Sequence, residues 1–552
     1  MKIKHSIALS VFAVCVLAVL GVLAFAAGGI VARYNINPLV VIVDAAEANV
    51  KTLVKSLKGE SRNEEYFTSA YYHLKTTTYK TSTDDRGDSV AFAPLADGYL
   101  VGTRGGELKF AQMDGSNQLS VRTLTQVVPT NKAEFLADSE GFNYRLHIQF
   151  GAKDIFVQPL GDRLRLYATH HYWHEEKQCA VLRLSVLETT IEAMLWESSG
   201  GTGAWRTLFD TEPCMDLDNK LNHYNEDDAL LQAGGRLALL DDDHLLMTVG
   251  DHFFDAVHNT DLVQDKTSSY GKVMLINLSD KSARMYSFGH RNPQGLYVDR
   301  EGNIWLTEHG PRGGDELNLV EPGNNYGWPM VNYGTDYLKV DWPEHLDWGG
   351  HEGYEQPVLA WYPSIAVSNL IRLEDSAFSR WEGHLIVGSL KDQAIHRLVL
   401  VGDRVVLSER ISMGSRIRDL MQTEDGKLLL LTDEGNLIAM EALNDNDPNQ
   451  PLPPELRAAQ LWVNCDSCHT LESGAGHSIG PNLKGVVGSD IARFDDYSYS
   501  RALAGLEGNW TPEKLDEFLR DPQAFAPGNA MGFSGFEDSS DRQAIIDYLQ
   551  AH

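Results

Sequence analysis

Three hydrophobic patterns follow one another along the 552-residue chain. The first is an unbroken apolar run from Ile7 to Ala32, 26 residues without a charge, set between Lys2, Lys4 and Arg33. At about 1.5 Å per residue a helix of this length exceeds a ~30 Å hydrocarbon core, whereas secretory h-regions span only about 7–15 residues. The run predicts a single uncleaved transmembrane helix, with Ala24-Phe25-Ala26 as the alternative, a cleavage site. Lys2 and Lys4 place the N-terminus in the cytoplasm and the chain beyond Arg33 outside. A helical stripe of Val50, Leu53, Val54 and Leu57 follows, with Asp44 as N-cap and Glu47 at N3. Residues 1–33 therefore read as cytoplasmic tip and anchor, and 34–88 as juxtamembrane helix and spacer.

The second pattern has the short period of β-strands. An acidic or glycine-bearing turn, an apolar strand and a polar end recur six times, beginning at Asp97-Gly98, Gly161-Asp162, Asp242-Asp243, Glu301-Gly302, Glu382-Gly383 and Asp425-Gly426. Repeated units of this kind predict a six-bladed β-propeller over residues 89–443. The strands end at Thr103-Arg104, His170-His171, Gly250-Asp251, His309-Gly310-Pro311, Lys391 and Asp433. Equivalent strands run the same way, so these residues should gather at one mouth of the channel. Arg416 and Arg418, two apart on a strand, share a face and suit a ligand with more than one carboxylate.

The third pattern is helical and begins after the proline-rich linker 444–454. Within 455–552, Thr511-Pro512 starts one helix. Ser540 with Gln543 reads as the capping box of a last helix carrying Ile545, Ile546 and Leu549. Cys465-Asp466-Ser467-Cys468-His469 has the C-x-x-C-H spacing of covalent haem attachment, with His469 as an axial ligand to iron. Met531 is the only methionine of this segment and the expected sixth ligand; His477 is the rival, close to His469 in sequence. Gly480-Pro481-Asn482-Leu483 can offer a carbonyl to the second nitrogen of His469. The whole segment, with leading helix, C-x-x-C-H, GPNL, methionine loop and terminal helix, resembles a class I cytochrome c, a small all-α domain.

The stretch 289–334 is the densest in Gly, Pro and Asn among charged residues, with Arg291, Asn292, His309, Arg312, Asp315 and Glu316 around the apolar strand Ile304–Leu306. Glycines let backbone groups approach a ligand closely, so this stretch predicts a bound anionic or metal-coordinating small molecule. A net charge of −30 excludes nucleic acid, which needs a basic face. Cys179 and Cys214 are free to pair in an oxidising compartment; sequence leaves open whether they do.

GHRNPQGL, EHGPRGGDELN and NNYGWP within this stretch resemble the PQQ-dependent glucose/sorbosone dehydrogenase family. The resemblance implies PQQ bound at the channel mouth by Arg291, Asn292, His309, Ser364, Lys391, Arg416 and Arg418. It also implies a Ca2+ held by the backbone oxygens of Gly310 and Pro311. The implied reaction is hydride transfer from a sugar or alcohol to PQQ, with electrons passing to the chain's own haem and then to a redox carrier. The expected setting is an inner membrane, with the bulk of the chain in the periplasm. The family's catalytic histidine lies in H-x-G-G-R, but this chain has Gln232-Ala-Gly-Gly-Arg236, with the supporting Asp251 downstream. Glutamine does not titrate; His309, Asp251, His170, His171 and His174 are the candidates to replace the base. The family's G-Q-x-G-L-L stretch is not evident between Ala133 and Phe150. A non-catalytic propeller that binds PQQ or sugar beside a haem is therefore the alternative, and His171 with His174 reads as either a metal pair or plain strand-end residues.

Overall fold

A computed structural model describes residues 62–69, 72–80, 88–114, 118–139, 144–196, 204–217, 230–254, 262–335, 350–443, 454–466, 468–471 and 476–551. The Ile7–Ala32 run, the Asp44–Leu57 stripe and nearly all of the linker lie outside them. Among the described residues no helix is long and apolar enough to cross a membrane.

Six antiparallel sheets form the propeller. The first blade comprises Ser89–Leu95, Gly98–Thr103, Glu107–Met113 and Leu119–Val127, and the second Ala152–Leu160, Arg163–His174, Cys179–Thr190 and Arg206–Asp210. The third runs Gly234–Asp241, His244–Val249, Lys272–Asn277 and Ala283–Phe288; the fourth Pro293–Val298, Ile304–Glu308, Asp315–Leu319 and Leu359–Trp361. The fifth is Val367–Arg372, Leu385–Ser389, Ala394–Val401 and Arg404–Ser412. Each of the six recurring turns opens the second strand of its blade. Those strands are apolar at successive positions, as in Leu385–Ser389 and Leu428–Thr432, because neighbouring blades cover both faces.

The propeller boundary at residue 89 requires correction. His73–Tyr79 pairs with Leu437–Leu443, and Arg62–Thr68 pairs outside it, so residues assigned to the spacer complete a five-stranded sixth blade with Ile417–Gln422 and Leu428–Thr432. The closing strand pairs the two ends of the propeller segment. Cys179 and Cys214 form a disulfide, Cα to Cα 5.8 Å.

The six innermost strands touch in sequence around a closed ring. Arg236, buried, reaches across it. Its guanidinium lies 3.2 Å from both Asp154 and Asp419 and donates to the Gln294 carbonyl at 2.8 Å and the Arg418 carbonyl at 3.0 Å. One side chain thus ties the second, third, fourth and sixth blades at the channel axis.

The C-terminal domain packs helices Pro454–Asp466, Pro512–Arg520 and Ser539–Ala551 around Ala458, Leu461, Leu515, Phe518, Ile545, Ile546 and Leu549. Arg457 clamps Asp541 at 2.7 and 2.9 Å, joining the first helix to the last. Thr511 caps its helix as expected, accepting from the Lys514 amide at 3.3 Å. The Ser540–Gln543 capping box does not form. The helix starts two residues earlier, at Ser539, Asp538 accepts from the Ser540 amide at 2.7 Å, and Gln543 donates instead to Asp547.

Candidate functional site: a propeller rim and a haem cavity

First strands begin, and second strands end, at the same rim of the propeller. Gln232 precedes the third blade with φ +53°. With its amide turned to suit both neighbours, the nitrogen donates to Asp251 Oδ1 at 2.8 Å and the oxygen accepts from Arg291 Nη2 at 3.0 Å. Asp251 also accepts from Trp328 Nε1 at 2.8 Å and from the Phe253 amide at 3.0 Å. A Cβ on Gly250 would stand 1.8 Å from the Gln232 carbonyl, so only glycine fits there. Arg291 is buried; Glu308 accepts from its amide at 2.7 Å, and its Nη1 donates to the carbonyls of His309 at 3.2 Å and Gly310 at 2.8 Å. Its Nε has no partner.

Asn292 is held from both sides, by Gln294 at 2.9 Å and by His309 Nδ1 at 3.4 Å. His309 Nε2 donates to the Val367 carbonyl at 2.6 Å, and burial lowers its pKa. Both ring nitrogens are thereby committed, which makes His309 a positioning residue for Asn292 and a poor base. Ser364 donates to Asp315 at 2.7 Å, so its proton serves the loop. Lys391 is exposed; its backbone amide donates to the Ile365 carbonyl at 3.1 Å, and its ammonium makes no hydrogen bond or ion pair among the described residues. Arg416 and Arg418 do share a face: both bind Asp433, at 2.8 and 2.5 Å.

The histidines part company. His170 is buried against Ser185 at 2.9 Å, and desolvation lowers its pKa to about 4. His171 is buried beside Phe150 and His252, whereas His174 faces Asp210 at 3.4 Å. Three residues apart on a strand they point to opposite faces, so they do not form a metal pair.

Arg104, expected at the mouth, is accompanied by two cations that were not foreseen, Lys132 and Lys153. Arg104, Lys132 and Lys153 interact electrostatically, with Arg418 also close to Lys153 and Asp88 the nearby acid. Lys132 opens the short helix Lys132–Asp138, which Asn131 clasps to Trp173 through bonds of 2.8 and 3.0 Å. Lys153 Nζ donates to the Gln149 carbonyl at 3.0 Å, and Arg104 to the Gln149 side chain at 3.2 Å.

In the C-terminal domain Cys465, Cys468, His469, Pro481 and Met531 line one cavity of about 590 Å3. His469 Nδ1 donates to the Pro481 carbonyl at 2.8 Å, and burial lowers its pKa, favouring the neutral imidazole that ligates iron. A Cβ on Gly480 would meet the His469 ring at 2.3 Å, so that glycine makes room for the ring. Asn529 grips the loop, donating to Pro522 and Ala526 at 2.6 and 3.0 Å and accepting from the Met531 amide at 2.8 Å. His477 lies 3.2 Å from Asp496 and accepts from the Asn482 amide at 3.1 Å, so both nitrogens are in use. Burial lifts the Cys465 thiol to about 11, opposite to the lowered pKa of a redox C-x-x-C.

The sequence model of the Glucose / Sorbosone dehydrogenase family matches residues 87–439. The chain belongs to this family. It is 35% identical over 262 residues to an aldose sugar dehydrogenase of Escherichia coli, covering 44% of this chain and 65% of that protein. The crystal structure of the soluble aldose sugar dehydrogenase from Escherichia coli, in its apo form, matches with TM-score 0.51 at 27% identity, covering 67% of this chain and all of that one. The C-terminal part is 42% identical over 96 residues to a cytochrome c homolog of Bradyrhizobium diazoefficiens, covering 17% of this chain and 52% of that protein. The chain thus spans about half to two thirds of these curated relatives, and it joins a sugar dehydrogenase propeller to a cytochrome c domain.

The rim fits an anionic cofactor through the unpartnered Arg291 Nε and the free Lys391 ammonium. For Ca2+ the loop offers the carbonyls of Gly310, which already accepts from Arg291 Nη1 at 2.8 Å, and Pro311, two of the six to eight oxygens Ca2+ takes.

Proposed function

We propose that this chain is a membrane-anchored periplasmic quinohaemoprotein that oxidises a sugar or alcohol with PQQ and passes the electrons to its own c-type haem, and then to a redox carrier. The observation that supports it most is the presence, in one chain, of a propeller of the sugar dehydrogenase family with the unpartnered Arg291 Nε at its rim and a C-terminal cavity lined by Cys465, Cys468, His469 and Met531. The disulfide supports an oxidising compartment.

PQQ, when bound, supplies a two-electron hydride acceptor. The chain's own residues bind and orient. Arg291, Lys391, Arg416 and Arg418 attract carboxylates, and Asn292 offers a fixed amide. Gln232 orients the reacting hydroxyl through the same amide that Asp251 and Arg291 hold, and it takes no proton. No step is assigned to a metal.

The non-catalytic alternative rests on one observation, that amide bridge in place of a titrating imidazole. Adding PQQ and Ca2+ to the purified full chain, then a panel of aldoses and alcohols, separates the two. Substrate- and PQQ-dependent growth of the reduced-haem band is expected. PQQ binding with no reduction by any substrate would leave the binding propeller as the correct reading.

A further inference from the structure

We propose that the substrate carries a negatively charged group, a carboxylate or phosphate, bound at the rim by Lys153, Arg104 and Lys132. The proposal rests on the dehydrogenase reading of the same rim.

Cations are the minority charge here, 47 Lys and Arg against 77 Asp and Glu. Arg104 and Lys153 nevertheless share Gln149, at 3.2 and 3.0 Å, and Lys132, on the helix between the first two blades, interacts electrostatically with both; among the described residues the carboxylate beside them is the half-exposed Asp88, 3.4 Å from Arg104. Arg104 Nε faces that carboxylate without a hydrogen bond, and among the described residues Lys153 Nζ bonds only to the Gln149 carbonyl. Like charges brought together out of water repel unless an anion joins them.

A neutral ligand gains little from this arrangement. An acidic one, repelled at long range by the net charge of −30, needs a local cationic pocket to bind at all. The cofactor's carboxylates have Lys391, Arg416 and Arg418 on the fifth and sixth blades, which leaves the Lys153 group for the substrate.

The state of Lys153 agrees. Burial, then Arg104, Arg418 and Lys132, push its ammonium well below the ordinary range, and Asp88 opposes them weakly. His171, beneath it, is likewise held neutral by burial and by Lys153. An anion at this point restores the ammonium, so binding takes up a proton.

The full chain, with and without PQQ, is titrated calorimetrically with glucose, glucuronate and glucose phosphate in buffers of different ionisation enthalpy. One acidic sugar is expected to bind at least about tenfold more tightly than glucose, with proton uptake; comparison of the two acids tells carboxylate from phosphate. Lys153→Met should cut that preference about tenfold and abolish the uptake, and Lys153→Arg should keep the preference. Equal binding of neutral and acidic sugars by a folded wild-type chain would overturn the proposal. So would an equal loss of PQQ affinity in Lys153→Met, which assigns the group to the cofactor. If acidic sugars bind preferentially but none reduces the haem, the dehydrogenase reading fails and this one stands.

Discussion

Arg236→Met tests the claim that one guanidinium fastens the blades at the channel axis. The substitution keeps most of the side-chain volume and removes two ion pairs of 3.2 Å, to Asp154 and Asp419, with the bonds to the Gln294 and Arg418 carbonyls. Breaking a buried pair by removing one partner costs about 3–5 kcal/mol, because the other charge is left behind. A propeller of about 350 residues unfolds with an entropy near 2.1 cal/mol/K per residue, so that cost lowers its Tm by roughly 4–7 °C. The loss should depend on pH. Burial lifts Asp154 to about 7 from an ordinary 3.8, with Asp419 adding and Arg236 opposing. An acid whose folded pKa is raised holds a proton that the unfolded chain releases, so it erodes stability as pH climbs from about 4 to about 7. Without Arg236 the carboxyl rises further, and the erosion continues above the wild-type window. Thermal unfolding followed by circular dichroism should therefore show a larger deficit at about pH 8 than at about pH 5. A drop below about 2 °C, or the same drop at both values, would refute the hub.

Two further substitutions address the chemistry. Gln232→His places a titrating ring against Asp251 and should raise the rate of haem reduction by about 10²-fold or more, with a new pH optimum in the rate profile; an unchanged profile would mean that another group, or none, takes the proton. Met531→Ala removes the expected sulfur ligand and should abolish the absorption band of sulfur–iron ligation while haem stays covalently attached; survival of the band would identify a different sixth ligand.

The parts of the fold that could be read from sequence were those where local chemistry and global position coincide. Each second strand follows a turn and is apolar throughout, because a propeller blade is covered on both faces, so all six were visible. The closing strands were not. His73–Tyr79 is half threonine and lysine, lacks a turn signal, and becomes a strand only because Leu437–Leu443 offers an edge from the far end of the chain. The cap at Asp538 was missed for a smaller reason: Ser540 and Gln543 satisfy the capping spacing, but an aspartate two residues earlier competes for the same amide. At the rim, Arg291, Arg416 and Arg418 were legible as cations among glycines. Lys153 was not, since a lysine alternating with apolar residues reads as the solvated face of a strand. Only the ring closure, which brings Arg104 and Arg418 beside it, shows it to be otherwise.

The departures from the family pattern share one location. Gly234, Gly235, Gly250 and Asp251, which shape the rim, are all present, and beside Gln232 Asp251 accepts from Trp328 and from the Phe253 amide. The orienting half of an acid–base pair is thus built and held while the titrating half is absent. A decayed site would be expected to lose its supports together with its base, since nothing would hold a buried tryptophan–carboxylate bond in place once it served no purpose. Retained supports, a replaced imidazole and a lysine among arginines on the neighbouring second blade describe a rim altered in what it binds and how it handles protons, on a scaffold that is otherwise intact. That is why Gln232→His is expected to gain activity rather than merely be tolerated: the imidazole would enter a pocket whose hydrogen-bond acceptor is already fixed.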